Sequence, residues 1–397
     1  GYWQGISPEN DLPAAIDRHL TRLPSGAYMP KVDPQSVQTF YDSYIRWVEE
    51  TGFDFVKVDN QAKSLLLYRG SSNAVRGARL GKQALESACA RRMDALLNCM
   101  AHNAQCTFST PKSAVTRCSI DYKVGNAAKA KSHLHQSYHN TLWLGQTVWP
   151  DHDMFHSSDK FAGRMMAVSK ALSGAPIYLS DAPDGLVEEY VTPLCYEDGK
   201  LLRPLAPAVP LPDSVFLDIT QSTEPYRAIA PLANRSAAIV AYNIGYTEEE
   251  KSITASVDAD DYAHASGMMQ PYPGPWEAPE EGLVYYDWYE GKGGRLKDDY
   301  TFSLDGLSDR FVLLCPVVEG WAVVGRTDLY LAPESVEVLV RTPDKLALRM
   351  DESGPLAVWS GSGRPRAEDV EFSSLGSGLW KADMPVGEED KLIVIHR

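Results

Sequence analysis

Asp59 closes a short apolar run, Phe53-Asp-Phe-Val-Lys-Val58, which stops abruptly in Asp59-Asn-Gln61. Strand side chains alternate, so Lys57 and Asp59 share one face while Val56 and Val58 share the other. An ammonium beside a carboxylate favours its ionised form, the state a carboxylate nucleophile needs. The same pair also fits an ordinary surface Lys and Asp at a strand end. Carboxylates recur around other apolar runs: Asp121 follows Ala114-Val-Thr-Arg-Cys118, Asp151 and Asp153 lie within Thr147-Val-Trp-Pro-Asp-His-Asp-Met-Phe155, and Asp181 ends Ala175-Pro-Ile-Tyr-Leu-Ser-Asp181. Glycoside cleavage needs two carboxylates astride the scissile bond, and a polyol asks for many side-chain hydrogen bonds. Arg117, four residues before Asp121, adds a planar fork able to clamp a hydroxyl or hold a carboxylate.

These groups need elements that gather strand ends. Pro34 to Thr51 carries Val37, Phe40, Tyr41, Tyr44, Trp47 and Val48 at helical spacing, and Gly52 ends it. Leu80 to Leu97, Ala130 to Leu144 and Ser158 to Leu172 also read as helices, with strands expected at Phe53–Val58, Leu96–Asn103, Ala114–Cys118, Thr147–Phe155 and Ala175–Asp181. This alternation is the pattern of parallel βα units, which place sites at the carboxyl ends of their strands. Five such strands fit an open doubly wound sheet or part of a closed eight-stranded barrel. The proline-rich stretch Leu205-Ala-Pro-Ala-Val-Pro-Leu-Pro212 reads as a boundary between an α/β domain, 1–205, and a second domain, 206–397. In the second, short runs such as Ala237–Tyr242, Phe311–Leu314, Trp321–Val324, Ser335–Val340, Leu346–Arg349 and Lys391–Ile395 predict an antiparallel β-sandwich. The cluster Tyr285-Tyr-Asp-Trp-Tyr289 fits ordinary packing or contact with a sugar.

Composition removes other classes. The net charge is -15 with no Lys/Arg-rich run, which argues against nucleic acid or an anionic membrane surface as partner. No apolar run approaches the roughly 20 residues of a membrane helix and no signal-peptide pattern is present, so the expected compartment is cytoplasmic. Six cysteines without CxxC spacing predict buried thiols rather than structural zinc. His133, His135, His139, His152 and His156 form a histidine-rich region, but no acidic residue stands at HExxH spacing, and no metal or cofactor is expected. A GxSxG elbow, a GxGxxG and a P-loop are all absent.

Six stretches carry a family resemblance: Gly1-Tyr-Trp-Gln-Gly5, Val56-Lys-Val-Asp-Asn-Gln61, Met100-Ala-His-Asn103, Arg117-Cys-Ser-Ile-Asp-Tyr122, Trp149-Pro-Asp-His-Asp-Met-Phe-His156 and Leu172-Ser-Gly-Ala-Pro-Ile-Tyr-Leu-Ser-Asp181. In this order residues 1–205 resemble glycoside hydrolase family 36, most closely its raffinose synthase, seed-imbibition protein and alkaline α-galactosidase branch. The segment after Pro204 continues the likeness more loosely through Val240-Ala-Tyr-Asn243 and Leu313-Leu-Cys-Pro-Val-Val-Glu-Gly-Trp321.

The resemblance implies a (β/α)8 TIM barrel, with this chain carrying about strands four to eight, followed by a β-sandwich. It implies Asp59 as nucleophile and Asp121 as acid/base, with Lys57, Arg117, Trp149, Asp151, Asp153, Trp3 and Asn103 contacting the sugar. Plant members commonly read Ser-Asp-Asp where this chain reads Ser119-Ile120-Asp121, so the acid/base assignment rests on the spacing from Arg117. In a retaining site the two carboxyl groups stand about 5–5.5 Å apart. The implied substrate is an oligosaccharide or other α-galactoside. The first-ranked expectation is a retaining α-galactosidase-like hydrolase. Its alternatives are a raffinose synthase-like galactosyltransferase using the same two aspartates, or a non-catalytic carbohydrate-binding remnant. Strands one and two and most of strand three are expected from an upstream segment or a separate chain that completes the barrel.

Overall fold

The computed structural model describes residues 4–70, 73–245, 251–387 and 391–397. Trp3 lies outside the described residues. The chain forms two compact bodies: Gly1–Cys118 with Thr147–Pro150, and Ser119–Gln146 with Asp151–Arg397.

The first body begins with an antiparallel hairpin, β1 (Leu20–Arg22) and β2 (Tyr28–Pro30). Strands β3 (Phe55–Val58), β4 (Ala95–Asn98) and β5 (Val115–Arg117) follow and pair in parallel, and β6 (Trp149–Asp151) completes the sheet order β3-β4-β5-β6. The helix Pro34–Glu50 starts where Asp33 accepts a bond from the Ser36 amide at 2.8 Å, and its C-cap is Thr51. The next helix spans Ala74–Arg92, earlier than the apolar spacing predicts. Asn73 caps it, and Leu96 and Leu97 belong to the strand that follows. Val56, Val58 and Leu96 pack towards a core of Val37, Phe40, Ile45, Leu85 and Ala88 on these two helices. The register pairs Lys57 with Leu97 and Leu97 with Val115, so these residues share the opposite face, with Phe55. Phe55 on that face is 61% exposed.

In the second body the expected fifth parallel strand, Ala175–Asp181, is reduced to a single parallel bridge between Phe155 and Leu179. Pro176 has no N–H to give, and a ladder does not extend. The helices Ala127–Leu144 and Gly163–Ser173 precede the β-rich region. The second of these starts later than predicted, because Ser157 to Ala162 form a loop held by Asp159 and Asp181.

The β-rich strands are β7 (Val209–Pro210), β8 (Tyr226–Pro231), β9 (Ala237–Tyr242), β10 (Ser252–Val257), β11 (Leu283–Asp287), β12 (Lys292–Leu296), β13 (Tyr300–Asp305), β14 (Asp309–Pro316), β15 (Trp321–Arg326), β16 (Val336–Thr342), β17 (Lys345–Met350), β18 (Gly354–Ser360), β19 (Ser373–Gly376), β20 (Leu379–Met384) and β21 (Leu392–His396). They do not make one sandwich. A six-stranded sheet, β12-β11-β14-β9-β8-β7, lies against the antiparallel pair β10–β13, with Ile229, Ile239, Val312 and Leu314 meeting Ile253, Val257, Phe302 and Leu304. A separate pair of sheets, β15-β18-β20-β19 and β16-β17-β21, encloses Val323, Leu356, Val358, Leu346, Leu348 and Ile395.

The other face of the six-stranded sheet, through Ala228, Val240, Tyr242, Phe311 and Leu313, is covered by Leu134, Tyr138, Met166 and Leu172 of the two helices. Burial on both faces is why β9 reads as an unbroken apolar run. It also explains why the compact bodies do not divide at residue 205: these helices share their core with the sheet that follows them in sequence. Among the described residues no helix is long and apolar enough to cross a membrane.

Candidate active site

Strand parity, extended one residue past β3 and β4, aligns Asp59 and Cys99 with Arg117, the last residue of β5, across three neighbouring strand ends of the first body. Asp59 is exposed, and its Oδ1 accepts from the Asn60 amide at 2.7 Å. Arg117 is only 2% exposed, and its Nη1 lies 3.9 Å from the Cys99 sulfur. Burial pushes the Cys99 thiol up to about 11; the Arg117 guanidinium opposes that rise, and a hydrogen bond to Asp59 adds to it. Lys57 also acts on this thiol through its charge. Lys57, Asp59 and Arg117 thus gather around a sulfur that the motif reading did not single out. Its signal in the sequence is strand parity with Leu97.

The loops behind these strands are stitched together. The Cys99 amide donates to Val58 O at 2.9 Å and the Ala62 amide to Met100 O at 2.8 Å. Asn103 spends its carboxamide here, accepting from the Cys106 amide at 2.8 Å and donating to Ala62 O at 3.1 Å. His102 bonds the Arg117 carbonyl, and burial holds its pKa below the usual imidazole range. Asn60 (φ 62°) and Met100 (φ 45°), each just past the end of its strand, and Asp153 (φ 67°), past β6, adopt left-handed backbone. Such conformations in non-glycine residues persist where surrounding bonds over-determine them, and they gather at functional sites.

A buried polar network braces the same strand ends from the helix side. Lys82 Nζ donates to Glu86 Oε1 at 2.8 Å and to Asn98 Oδ1 at 2.5 Å. Gln61 Nε2 reaches the same Asn98 oxygen at 2.9 Å and Val58 O at 2.9 Å. Asn98 donates to Ser113 Oγ, which donates to Glu86 Oε1 at 2.6 Å. Burial raises the Glu86 pKa, but the Lys82 ammonium and Ser113 outweigh it and hold the carboxyl below its usual value. Burial lowers that of Lys82, against the pull of Glu86. A cavity of about 210 Å³ lies beside β3, lined among others by Lys57, Asp59, Gln61, Tyr68 and Lys82. Trp149, half-buried, joins the sheet by donating its amide to Ala114 O at 2.7 Å.

In the second body Asp121 is exposed, in a loop between two tethered residues. The Ile120 amide donates to Gln136 Oε1 at 3.0 Å, and His133 Nδ1 lies 2.8 Å from the Ile120 carbonyl. The Tyr122 amide donates to Asp153 Oδ2 at 2.9 Å, and its hydroxyl bonds Asp159. Asp151, 0% exposed, accepts from the Asp153 amide at 2.8 Å, while the Tyr178 hydroxyl lies 2.9 and 3.1 Å from its two oxygens. Asp151 and Asp153 therefore brace the loops of this body through their carboxylates. Asp181 caps the amides of Ser157 and Ser158; partial burial raises its pKa, but these bonds hold it below the usual value. His139 is likewise tied to the fold, through the Tyr226 hydroxyl and the Val215 carbonyl.

The chain matches the family described as "Raffinose synthase or seed imbibition protein Sip1" over residues 25–267, more than half its length. It is 32% identical over 375 residues to the probable galactinol–sucrose galactosyltransferase 1 of Arabidopsis thaliana, covering 86% of this chain and 48% of that protein. It is 33% identical over 391 residues to the probable galactinol–sucrose galactosyltransferase 6 of the same plant, covering 89% and 51%. The chain thus spans about half the length of the curated relatives it matches. A family 27 β-L-arabinopyranosidase from Geobacillus stearothermophilus superposes with a TM-score of 0.52 at 17% identity, over 78% of this chain and 69% of its own, a likeness of fold. Ordered motifs, a parallel sheet with carboxylates at its strand ends and a match over most of the chain lead to one assignment: this protein belongs to the raffinose synthase and seed imbibition protein family.

Proposed function

We propose that this chain carries the reacting carboxylates of a retaining galactosyltransferase that moves galactose from an α-galactoside donor to a sugar hydroxyl. The observation that carries the reading is Asp59, exposed at a parallel strand end beside Lys57, Cys99 and Arg117, in a chain whose relatives are named as galactosyltransferases. Hydrolysis, ranked first on the sequence, has less support, because the names among the relatives are of transfer to sucrose. Asp59 attacks the anomeric carbon as the leaving oxygen departs with a proton from Asp121, giving a galactosyl ester. The acceptor hydroxyl then gives its proton to Asp121, attacks the same carbon and releases the Asp59 carboxylate. Both carboxylates end as they began.

In this reading β3 to β6 are strands four to seven of a (β/α)8 barrel, and the Phe155–Leu179 bridge marks the eighth. A further segment or chain lies over the face that Phe55 and Lys57 expose, in keeping with relatives of about twice this length. The test is to incubate the complete gene product with galactinol, with and without sucrose, and with an aryl α-galactoside. Trisaccharide formation exceeding free galactose is expected. Free galactose alone returns the protein to the hydrolases, and no release from any donor removes the enzyme reading.

A further inference from the structure

We propose that Gln136 and His133, side chains of the helix Ala127–Leu144, are positioning residues for Asp121, which they aim by holding both backbone groups of Ile120. The inference rests on the acid/base role proposed above. Asp121 sits in the irregular segment between β5 and this helix, where no ladder fixes the backbone. On its amino side, Ile120 gives its N–H to Gln136 at 3.0 Å, and its carbonyl lies 2.8 Å from His133 Nδ1. On its carboxyl side, Tyr122 is tied by Asp153 and Asp159. The carboxyl of Asp121 thus projects from between two fixed peptides.

His133 is wholly buried, and its chemistry suits a fixed donor. Its Nε2 lies 3.3 Å from the buried Lys170 ammonium and 2.8 Å from the His152 carbonyl. Burial foremost, and then the Lys170 charge, push its pKa well down and keep the ring neutral. A neutral ring has one N–H, and an ammonium can only donate. Both ring nitrogens lie 2.8 Å from a carbonyl oxygen, and in its Nδ1–H tautomer the ring donates to Ile120. Position matters here because a general acid must meet the leaving oxygen within hydrogen-bond reach. A misplacement of about 1 Å costs on the order of 10²-fold in rate.

Gln136 is half-buried, and its replacement deletes one tether without opening the core. In the complete gene product, Gln136→Ala is compared with wild type on galactinol, whose leaving group needs a proton, and on an aryl galactoside whose phenolate leaves unaided. The expected result is a kcat/KM ratio between the two donors shifted about tenfold towards the aryl galactoside, an unchanged melting temperature, and recovery in Gln136→Glu, which keeps an acceptor for the Ile120 amide. Equal losses on both donors, or no loss on either while Asp121→Ala discriminates between them, overturn the inference and leave the galactosyltransferase reading standing. A wild-type protein inert on both donors overturns the two together.

Discussion

The roles proposed for Asp59 and Asp121 differ, and substitution separates them. Asp59 has a buried guanidinium, an ammonium and a thiol around it. Asp59→Asn is expected to lower turnover more than about 10³-fold on every donor, because no ester forms without the nucleophile. Asp121→Ala is expected to stop galactinol turnover while sparing an aryl galactoside in part. Matching minor losses in both variants, measured as kcat/KM, would dismiss the assignment. The shared face of Lys57 and Asp59 was legible in the sequence, since strand parity is a property of the backbone alone. Cys99 was less so, because the residues it meets come from two other strand ends.

The strand β4 ends in Asn98, and its carboxamide ties together a helix, the loop after β3 and the loop before β5 through Lys82, Gln61 and Ser113. Lys82 and Glu86 are 5% and 1% exposed, so neither charge is shared with solvent. Removing one partner of a buried pair strands the other, at a cost of about 3–5 kcal/mol. Glu86→Gln is therefore expected to lower unfolding free energy in urea by that order, and Lys82→Met with Glu86→Leu by less than the single change. A loss under about 1 kcal/mol for Glu86→Gln would show that the network does not brace the strand ends. An i,i+4 Lys and Glu on a helix reads in the sequence as a solvated surface pair. Only packing of the helix on the sheet makes it internal.

Across the whole molecule, two partly buried groups, Glu334 and His135, make stability depend on pH in opposite senses. Burial pushes the Glu334 carboxyl up to about 7, while its Oε1 accepts the Ala233 amide at 2.7 Å. Its folded value exceeds its unfolded one, so the folded state binds the extra proton. Stability from this group is complete below pH about 4.5 and is lost as pH rises towards 7. Glu334→Gln is expected to be neutral near pH 4 and stabilising by roughly 1–3 kcal/mol above pH 7, read from urea unfolding at both pH values. A pH-independent effect would contradict the burial argument. Burial foremost, then the charge of His139, pushes His135 down to about 4. Its contribution runs the other way, present above pH about 6.5 and lost as pH falls through 4.

By itself the sequence determined what near neighbours in the chain decide. Alternation put Lys57 and Asp59 on one face, and the apolar spacing from Pro34 marked a helix. Tertiary structure decided what depends on which surfaces cover one another. Helices laid over the six-stranded sheet moved the division of the chain away from residue 205, and the β-rich region became two pairs of sheets rather than one sandwich. It also decided that the carboxylates of Asp151 and Asp153 and the carboxamide of Asn103 take up backbone and tyrosine donors within the fold. Burial is the reason: a polar side chain removed from water takes whatever partner the fold brings to it, and for Asp151 and Asp153 those partners include the Tyr178 hydroxyl and the Tyr122 amide, which come from segments distant in sequence.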